Sequence, residues 1–316
     1  MILQYAHLHR RPALFKAMTG LLLAEFDALA WDLLPQIAAA PGAHPRQQQR
    51  TRAVGGGHPF RLSSRDQLLL TVVWLRQYPT YEALGYFFGV SDTTAGRALK
   101  RVLPVLEAAG QDTMRLPDPG RKHRRTEQQM LSETPALAAP PDLDVVVDSF
   151  EQRVQRPQDR AEADRYYSGK KKTHTLKSQV AVDGQSGEIV DIAPSVRGPT
   201  ADLTLLKGSG LLARLPPGCS VGADLGYPGL SALSAHGHIP RRKPRGQPRP
   251  PDDVLYNTAF SRKRIIVEHT IGRLRRFAAL THTDRHHRCL HTARVRAVAG
   301  LINRHLRRQH RLLRAA

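Results

Sequence analysis

Three carboxylates stand where local patterning gives them something to do: Asp148, Asp224 and Glu268. Glu268 is the single acid in the basic stretch from Arg264 to Phe277. There Phe260, Val267, Ile271, Leu274 and Ala278 recur at helical spacing and define one apolar face. Glu268 lies at the edge of that face, among Arg262, Lys263, Arg264, Arg273, Arg275 and Arg276. An acid at the border of a core, inside a basic field, can hold a divalent metal against a phosphodiester that the arginines draw in. The alternative is a helix ion pair from Glu268 to Arg264 four residues back, worth a few tenths of a kcal/mol. Asp148 and Asp224 each close a short apolar run, Val145 to Val147 and Cys219 to Ala223. Those runs read as buried strands, and acids at the carboxyl ends of neighbouring strands can converge. Mg²⁺ needs few carboxylates and leaves positions open for water and phosphate oxygens. Two such ions ~3.5–4 Å apart can activate a nucleophile and stabilise a leaving oxygen. No Gly-x-Ser-x-Gly, phosphate-binding Gly-x₄-Gly-Lys-Ser/Thr or His-Glu-x-x-His motif competes with this reading.

The elements that must position these acids fall between residues 142 and 310. His174 to Val182 and Glu188 to Ala193 alternate around the turn Asp183-Gly-Gln-Ser-Gly187 and complete a three-strand meander with Val145–Val147. Thr200 caps a helix to Leu212, with Asp202 in its first turn. Cys219 to Ala223 is a fourth strand, and Ile239 opens a fifth. The Glu268 helix and a last helix, Ala293 to Leu306, follow a basic, Pro-rich stretch from Arg241 to Pro251. The expected fold class is α/β, layered, with an all-α region in front.

That front region has two parts. Residues 1–61 are a helical segment limited by Pro35 and then a basic, Gly-rich link. Residues 62–110 form a compact helical unit. Ser63 or Ser64 caps its first helix, Thr80 the second and Ser91 the third, with Gly89-Val90 as the turn between the last two. Helix, short turn and capped helix is the helix-turn-helix pattern, though an ordinary three-helix packing unit has the same signature. In the DNA-reading case Thr93, Thr94, Arg97, Lys100 and Arg101 face the nucleic acid. Residues 111–141 read as a linker with one short helix around Thr126 to Glu133.

Composition points the same way. Forty-eight Lys and Arg against 27 Asp and Glu give the 316-residue chain a formal charge of +21. Such a field attracts polyanions, double-stranded DNA first among them. The cations are spread through the elements and not gathered in one amphipathic arm, which argues against a membrane surface. No run approaches the ~18 apolar residues of a spanning helix. Two cysteines, Cys219 and Cys289, make neither a disulfide framework nor a metal spacing, and fit a reducing cytoplasm. Lys170, Lys171 and Lys172 are either a solvated hairpin edge or phosphate contacts; Tyr166 and Tyr167 either stack on an unpaired base or pack locally. The cluster of Asp284, His286, His287, Cys289 and His291 matches no common zinc spacing and reads as a basic loop near DNA. Asp202 is either a fourth acid near the metals or the complement to its own helix's positive end, the reading we favour.

Four ordered motifs resemble those of DDE transposases, nearest the bacterial IS-five-like insertion sequences related to the Harbinger transposases. They are Val147-Asp-Ser-Phe-Glu-Gln-Arg-Val-Gln-Arg-Pro157, Tyr166-Tyr-Ser-Gly-Lys-Lys-Lys-Thr-His-Thr-Leu-Lys177, Gly222-Ala-Asp-Leu-Gly-Tyr227 and Val267-Glu-His-Thr-Ile-Gly-Arg-Leu-Arg-Arg-Phe277. The segment Leu84 to Leu106 is similar to the helix-turn-helix that precedes their catalytic domain. The resemblance spans about residues 62–305. It implies a ribonuclease-H-like catalytic domain over 142–310, with Asp148, Asp224 and Glu268 as the metal ligands. It implies two Mg²⁺ ions, with Mn²⁺ as a substitute, cleavage at the element's ends and transfer of the freed 3′-OH into target DNA. A homo-oligomer in the DNA complex and a bacterial, nucleoid-associated setting are implied as well. Arg275 stands in the place of a basic residue, usually Lys, that the family carries after its glutamate. Arg273 and Arg276 are expected on phosphates. The chain departs from the family pattern at Ser149-Phe150 for Gly-Thr, at Leu225 for Lys and at Ala201 for His. A domesticated DNA-binding derivative and a nuclease without strand transfer are the alternative functions.

Overall fold

The computed structural model describes residues 3–40, 62–117 and 142–315. The linkers expected over 41–61 and 118–141, including the short helix near Thr126, lie outside the described residues. Three helices open the chain: α1 (Tyr5–Leu8), α2 (Pro12–Thr19) and α3 (Leu23–Ala39). Pro35 does not limit α3, contrary to expectation. Leu29, Leu33 and Ile37 are buried on either side of the proline. Beyond it, the Arg101 guanidinium donates to the carbonyls of Ile37 and Ala38, so the final turn is held from outside.

The helical unit follows as α4 (Ser64–Gln77), α5 (Tyr81–Phe88) and α6 (Asp92–Gln111). Ser63, Thr80 and Ser91 each accept a backbone N–H three residues on. Gly89 takes the left-handed conformation (φ 66°) that reverses the chain between α5 and α6. A Cβ on Gly85 would stand 2.6 Å from the Val90 carbonyl oxygen, so the turn closes only over glycine.

The second half is one mixed sheet with helices on both faces. Its central strand β1 (Val145–Arg153) pairs antiparallel with β3 (Thr173–Asp183), and the outer edge of β3 carries β2 (Tyr167–Ser168), β5 (Val196–Arg197) and β4 (Ile189–Ile192) in turn. On its other side β1 runs parallel to β6 (Val221–Ala223), and β6 to β7 (Gly237–His238). Helix α7 (Arg160–Tyr166) interrupts the meander after β1. Next come α8 (Asp202–Ser209), α9 (Leu211–Arg214), α10 (Leu230–Leu233), the long α11 (Pro251–Leu274) and α12 (His291–Ala315). Pro251 at its first position and Asp252 and Asp253 in its first turn suit the start of α11.

Alternation along β1 divides the sheet's two faces. Val146 and Phe150 join a core that also contains α3 to α6, Phe260, Val267 and Ile271 of α11, and Val298 and Leu301 of α12. Val145 and Val147 join a second core with Leu206, Leu211, Val221, Ala223 and Tyr227. The helical region and one sheet face thus share a single apolar interior. Where α6 crosses α12 the backbones almost touch: a Cβ on Gly300 would lie 2.4 Å from the Gly110 Cα. Among the described residues no helix is long and apolar enough to cross a membrane.

Candidate active site

Sheet register brings the two aspartates together. The parallel pairing of β1 with β6 ends at Val147 opposite Ala223. Asp148 and Asp224 are the next residues on the two strands' paths, one past a ladder whose backbones run ~4.8 Å apart. Asp148 does not end a strand as its apolar run suggested. β1 continues to Arg153 because its other edge pairs with β3 along the full length, Asp148 opposite Val180. What ends at Asp148 is the parallel neighbour. Asp224 begins the loop beyond β6, where its Oδ1 accepts the Gly226 N–H at 2.8 Å.

Alternation turns Asp148 toward the face that α11 covers, with Val146 and Phe150. From α11 comes Arg264. Its Nη1 donates to Asp148 Oδ2 at 3.1 Å, and its Nη2 donates to Glu268 Oε1. One guanidinium therefore ties the first acid to the third. The Arg264 and Asp148 side chains are 18% and 20% exposed; Glu268 is 51% exposed. Burial pushes the Asp148 carboxyl above the usual carboxylate range, and the neighbouring Asp224 charge adds to this. The Ser149 N–H, at 2.7 Å, and Arg264 oppose the rise without cancelling it.

Asp202, the first residue of α8, belongs to this neighbourhood too. Its Oδ1 accepts Ser149 Oγ at 2.8 Å and pairs with Lys177 Nζ at 2.9 Å. A Cβ built on Gly226 would be 2.8 Å from both Asp202 Oδ2 and Asp224 Oδ1, so the two carboxylates flank one glycine. Asp202 thus stands both at a helix start and beside the acids. The Tyr227 hydroxyl is buried close by. Burial raises its pKa, and the charges of Asp202, Asp148 and Asp224 raise it further.

The donor set is hard oxygen, the type that Mg²⁺ or Mn²⁺ takes. A carboxyl lifted by burial and by a second carboxylate is one that a bound cation would relieve. Among the described residues, however, no three His, Cys, Asp or Glu side chains are drawn together tightly enough to hold one ion. In this arrangement the cation between Asp148 and Glu268 is Arg264. The residues fit a divalent metal in chemistry, with Arg264 as its competitor.

The other expected residues are spread over the surface. Arg275 caps the end of α11 and is exposed, as is Arg276, whose carbonyl receives the Arg76 guanidinium. Arg273 is half-buried. On α6, Thr93, Arg97 and Lys100 are exposed, while Thr94 is half-buried with its hydroxyl 2.9 Å from Ser91 Oγ. Arg101 is not on that surface. It is buried, and its side chain is spent on the end of α3, so it is a structural arginine and not a DNA contact. Lys170, Lys171 and Lys172 are all exposed in the turn before β3. Tyr166 is buried with the Arg288 and Arg197 guanidinium carbons 4.4 and 5.5 Å from its ring centre; Tyr167 is 47% exposed. The histidine-rich loop is divided: His287 and Cys289 are exposed, His286 is half-buried, and Asp284 and His291 are buried. Asp284 pairs with the buried Arg294 and accepts from the Tyr78 hydroxyl, and His291 bridges Gln152 and Ser195. Sequence reasoning gave Arg264 only to Glu268. Its reach to Asp148 depends on α11 lying over β1, which the helix's own spacing does not encode.

With fold and site in place, the class follows. Residues 147–303 match the family described as DDE superfamily endonuclease, and residues 60–112 match the helix-turn-helix of DDE superfamily endonuclease. The chain is therefore similar to DDE-superfamily endonucleases over 147–303 and to that superfamily's own helix-turn-helix over 60–112, a likeness that supports a transposase-like nuclease. It is 27% identical over 249 residues to the probable transposase for insertion sequence element IS702 of Microchaete diplosiphon, covering 78% of this chain and 82% of the relative. It is 26% identical over 278 residues to a candidate transposase for insertion sequence element IS112 of Streptomyces albus G, covering 83% and 94%. No solved structure matches the chain.

Proposed function

We propose that this protein is a DNA transposase of the IS-five-like group, cleaving at the ends of an insertion sequence and joining the freed 3′-OH to target DNA. The observation that carries the reading is the register. Asp148 and Asp224 follow the last parallel pair of β1 and β6, and α11 presents Glu268 to the same place through Arg264. An antiparallel meander continued by two parallel strands supports a ribonuclease-H-like fold for residues 142–310. Asp148, Asp224 and Glu268 are the residues that would hold Mg²⁺, or Mn²⁺ in its place, once Arg264 releases Asp148 and Glu268. The chemistry that two bound ions supply at such a site is activation of an attacking hydroxyl and stabilisation of the leaving oxygen.

The chain's own residues do the rest. Ser149 and Lys177 hold Asp202 still beside Asp224. Arg275 and Arg276, exposed at the end of α11, draw in the phosphate backbone, with Arg275 on Glu268's side two turns on. The exposed Thr93, Arg97 and Lys100 of α6 face the element's own ends in the major groove, as a recognition helix does. Lys170 to Lys172 and Arg273 add phosphate contacts. Joining two ends calls for more than one subunit, so the working form on DNA is a homo-oligomer, acting in the bacterial cytoplasm at the nucleoid.

The experiment that separates a transposase from a plain nuclease supplies a pre-cleaved element end, a plasmid target and Mg²⁺. Joined product supports the proposal. Nicked plasmid with no joining would make the protein a metal-dependent nuclease instead.

A further inference from the structure

The outer face of α11 carries a feature that the acid site does not use. Val254, Thr258, Ser261, Ile265 and Glu268 follow one another at spacings of four and three, so they form one stripe along the helix. Their side of α11 borders a groove of about 450 Å³, to which Arg249, Asn257 and Arg262 also contribute. No acid lines it. The groove follows the helix as far as Ile265, and the stripe continues one turn on to Glu268.

A basic arm runs alongside. The segment 239–250 forms neither helix nor strand, and it is fastened to α11 at one residue. The Arg241 N–H donates to Asn257 Oδ1 at 2.8 Å, and Asn257 Nδ2 donates back to the Arg241 carbonyl at 3.0 Å. The Arg241 guanidinium lies 4.3 Å from the centre of the Tyr256 ring and pairs with Asp253. The neighbouring Arg242 donates to the carbonyl of Leu225 at 3.3 Å, the residue after Asp224. The arm thus touches the residue next to the second acid, while the helix stripe that borders the groove ends at the third. Beyond Arg241, the exposed cations Arg242, Lys243, Arg245 and Arg249, with Arg262 on the helix, form no ion pair among the described residues. Many arginines elsewhere have a carboxylate partner, including Arg214, Arg264, Arg288, Arg294, Arg296 and Arg307.

Unpaired cations interleaved with hydroxyl and amide donors, with the exposed Val254 and Ile265 placed to lie against sugars, suit a sugar–phosphate backbone. We propose that this groove is a track for duplex DNA, seating the backbone next to the phosphodiester that the three acids receive. From Val254 to Glu268 the helix rises about 20 Å. At 3.4 Å per step that is room for roughly six base pairs. The inference rests on the transposase reading and adds to it where the DNA lies.

The test uses the full-length protein, fluorescent duplexes lacking any element end, and no divalent metal. Binding is titrated against salt for wild type, Arg249→Ala/Arg262→Ala and Ser261→Glu. Each lost phosphate contact lowers the slope of log K against log salt by about 0.9. The double variant is expected to lose about two contacts' worth of slope and ~10-fold or more in affinity. Ser261→Glu, which puts an anion into the groove, should weaken binding at low salt most. All three altered side chains are exposed, and unchanged melting temperatures confirm that the fold is intact. A steep wild-type slope that both variants retain would overturn the track while leaving the transposase reading standing. A flat wild-type slope would instead remove the DNA reading itself.

Discussion

Arg264 occupies the position between Asp148 and Glu268 that a dication would contest. Its removal has two opposite consequences. Without metal, Arg264→Ala leaves Asp148 half-buried with no cation, which should cost about 2 kcal/mol in a melting experiment. With Mn²⁺ present the competitor is gone, so added metal should stabilise the variant more than it stabilises wild type. Equal stabilisation of the two would show that Arg264 does not contest the site. Arg101 makes the complementary case. It sits on the proposed reading helix by sequence, yet it caps α3 in space. Arg101→Ala should lower stability, and Arg97→Ala should relax preference for the element's ends by ~1–3 kcal/mol if that arginine reaches a base edge. Equal affinity losses for Arg97→Ala on specific and random duplexes would show that α6 does not read sequence.

At the scale of elements, two contacts organise the molecule: β1 against β6, and α6 against α12. The second tolerates no side chain. A Cβ at Gly300 would fall 2.4 Å from Gly110, and one at Gly110 would fall 2.3 Å from the Arg296 carbonyl. Gly300→Ala should therefore destabilise by about 1–3 kcal/mol, read from denaturant melts. Wild-type stability in that variant would mean the helices can part. Much of the element list was legible because it rests on local chemistry. Ser63, Thr80 and Ser91 cap where their types and the following apolar periodicity say they should. Val145 to Val147 and Cys219 to Ala223 announced buried strands, the second of which begins only at Val221. What local reading missed was set by partners. β1 runs on past Asp148 because β3 is there to pair with it. α3 runs through Pro35 because its far side is buried and its end is capped by Arg101. From the sequence came three candidate acids in order and Arg264 as the helix partner of Glu268; the reach of Arg264 to Asp148, and the contacts of Ser149 and Lys177 with Asp202, did not, since each acts across elements distant in sequence.

For the whole molecule, the helix-turn-helix and one face of the sheet share a single core. Under the proposed function, DNA bound at α6 would stand in a fixed relation to the acids, and loss of the core would be felt at both. His291 reports on that core. Its ring nitrogens meet Gln152 Oε1 and Ser195 Oγ, each at 2.8 Å, between β1 and α12. Burial, with help from the Arg294 charge, lowers its pKa to about 4 from an ordinary 6.5. Between those values the unfolded chain binds the proton and the folded one does not. Stability from this group is thus full above about pH 6.5 and falls as pH drops toward 4, by roughly 3 kcal/mol in all. Melts at stepped pH should show that loss in wild type and a smaller one in His291→Gln. A pH-independent wild-type melting temperature over this window would contradict it.

The central claim is that Asp148, Asp224 and Glu268 act as one metal-dependent site on DNA. The most direct measurement is Mg²⁺-dependent cleavage of a plasmid carrying the element's ends, alongside end binding, for Asp148→Asn, Asp224→Asn and Glu268→Gln. Each substitution removes ligand charge and keeps shape. The account predicts that all three abolish cleavage and leave end binding nearly at the wild-type level. Wild-type cleavage by any one of them would contradict it.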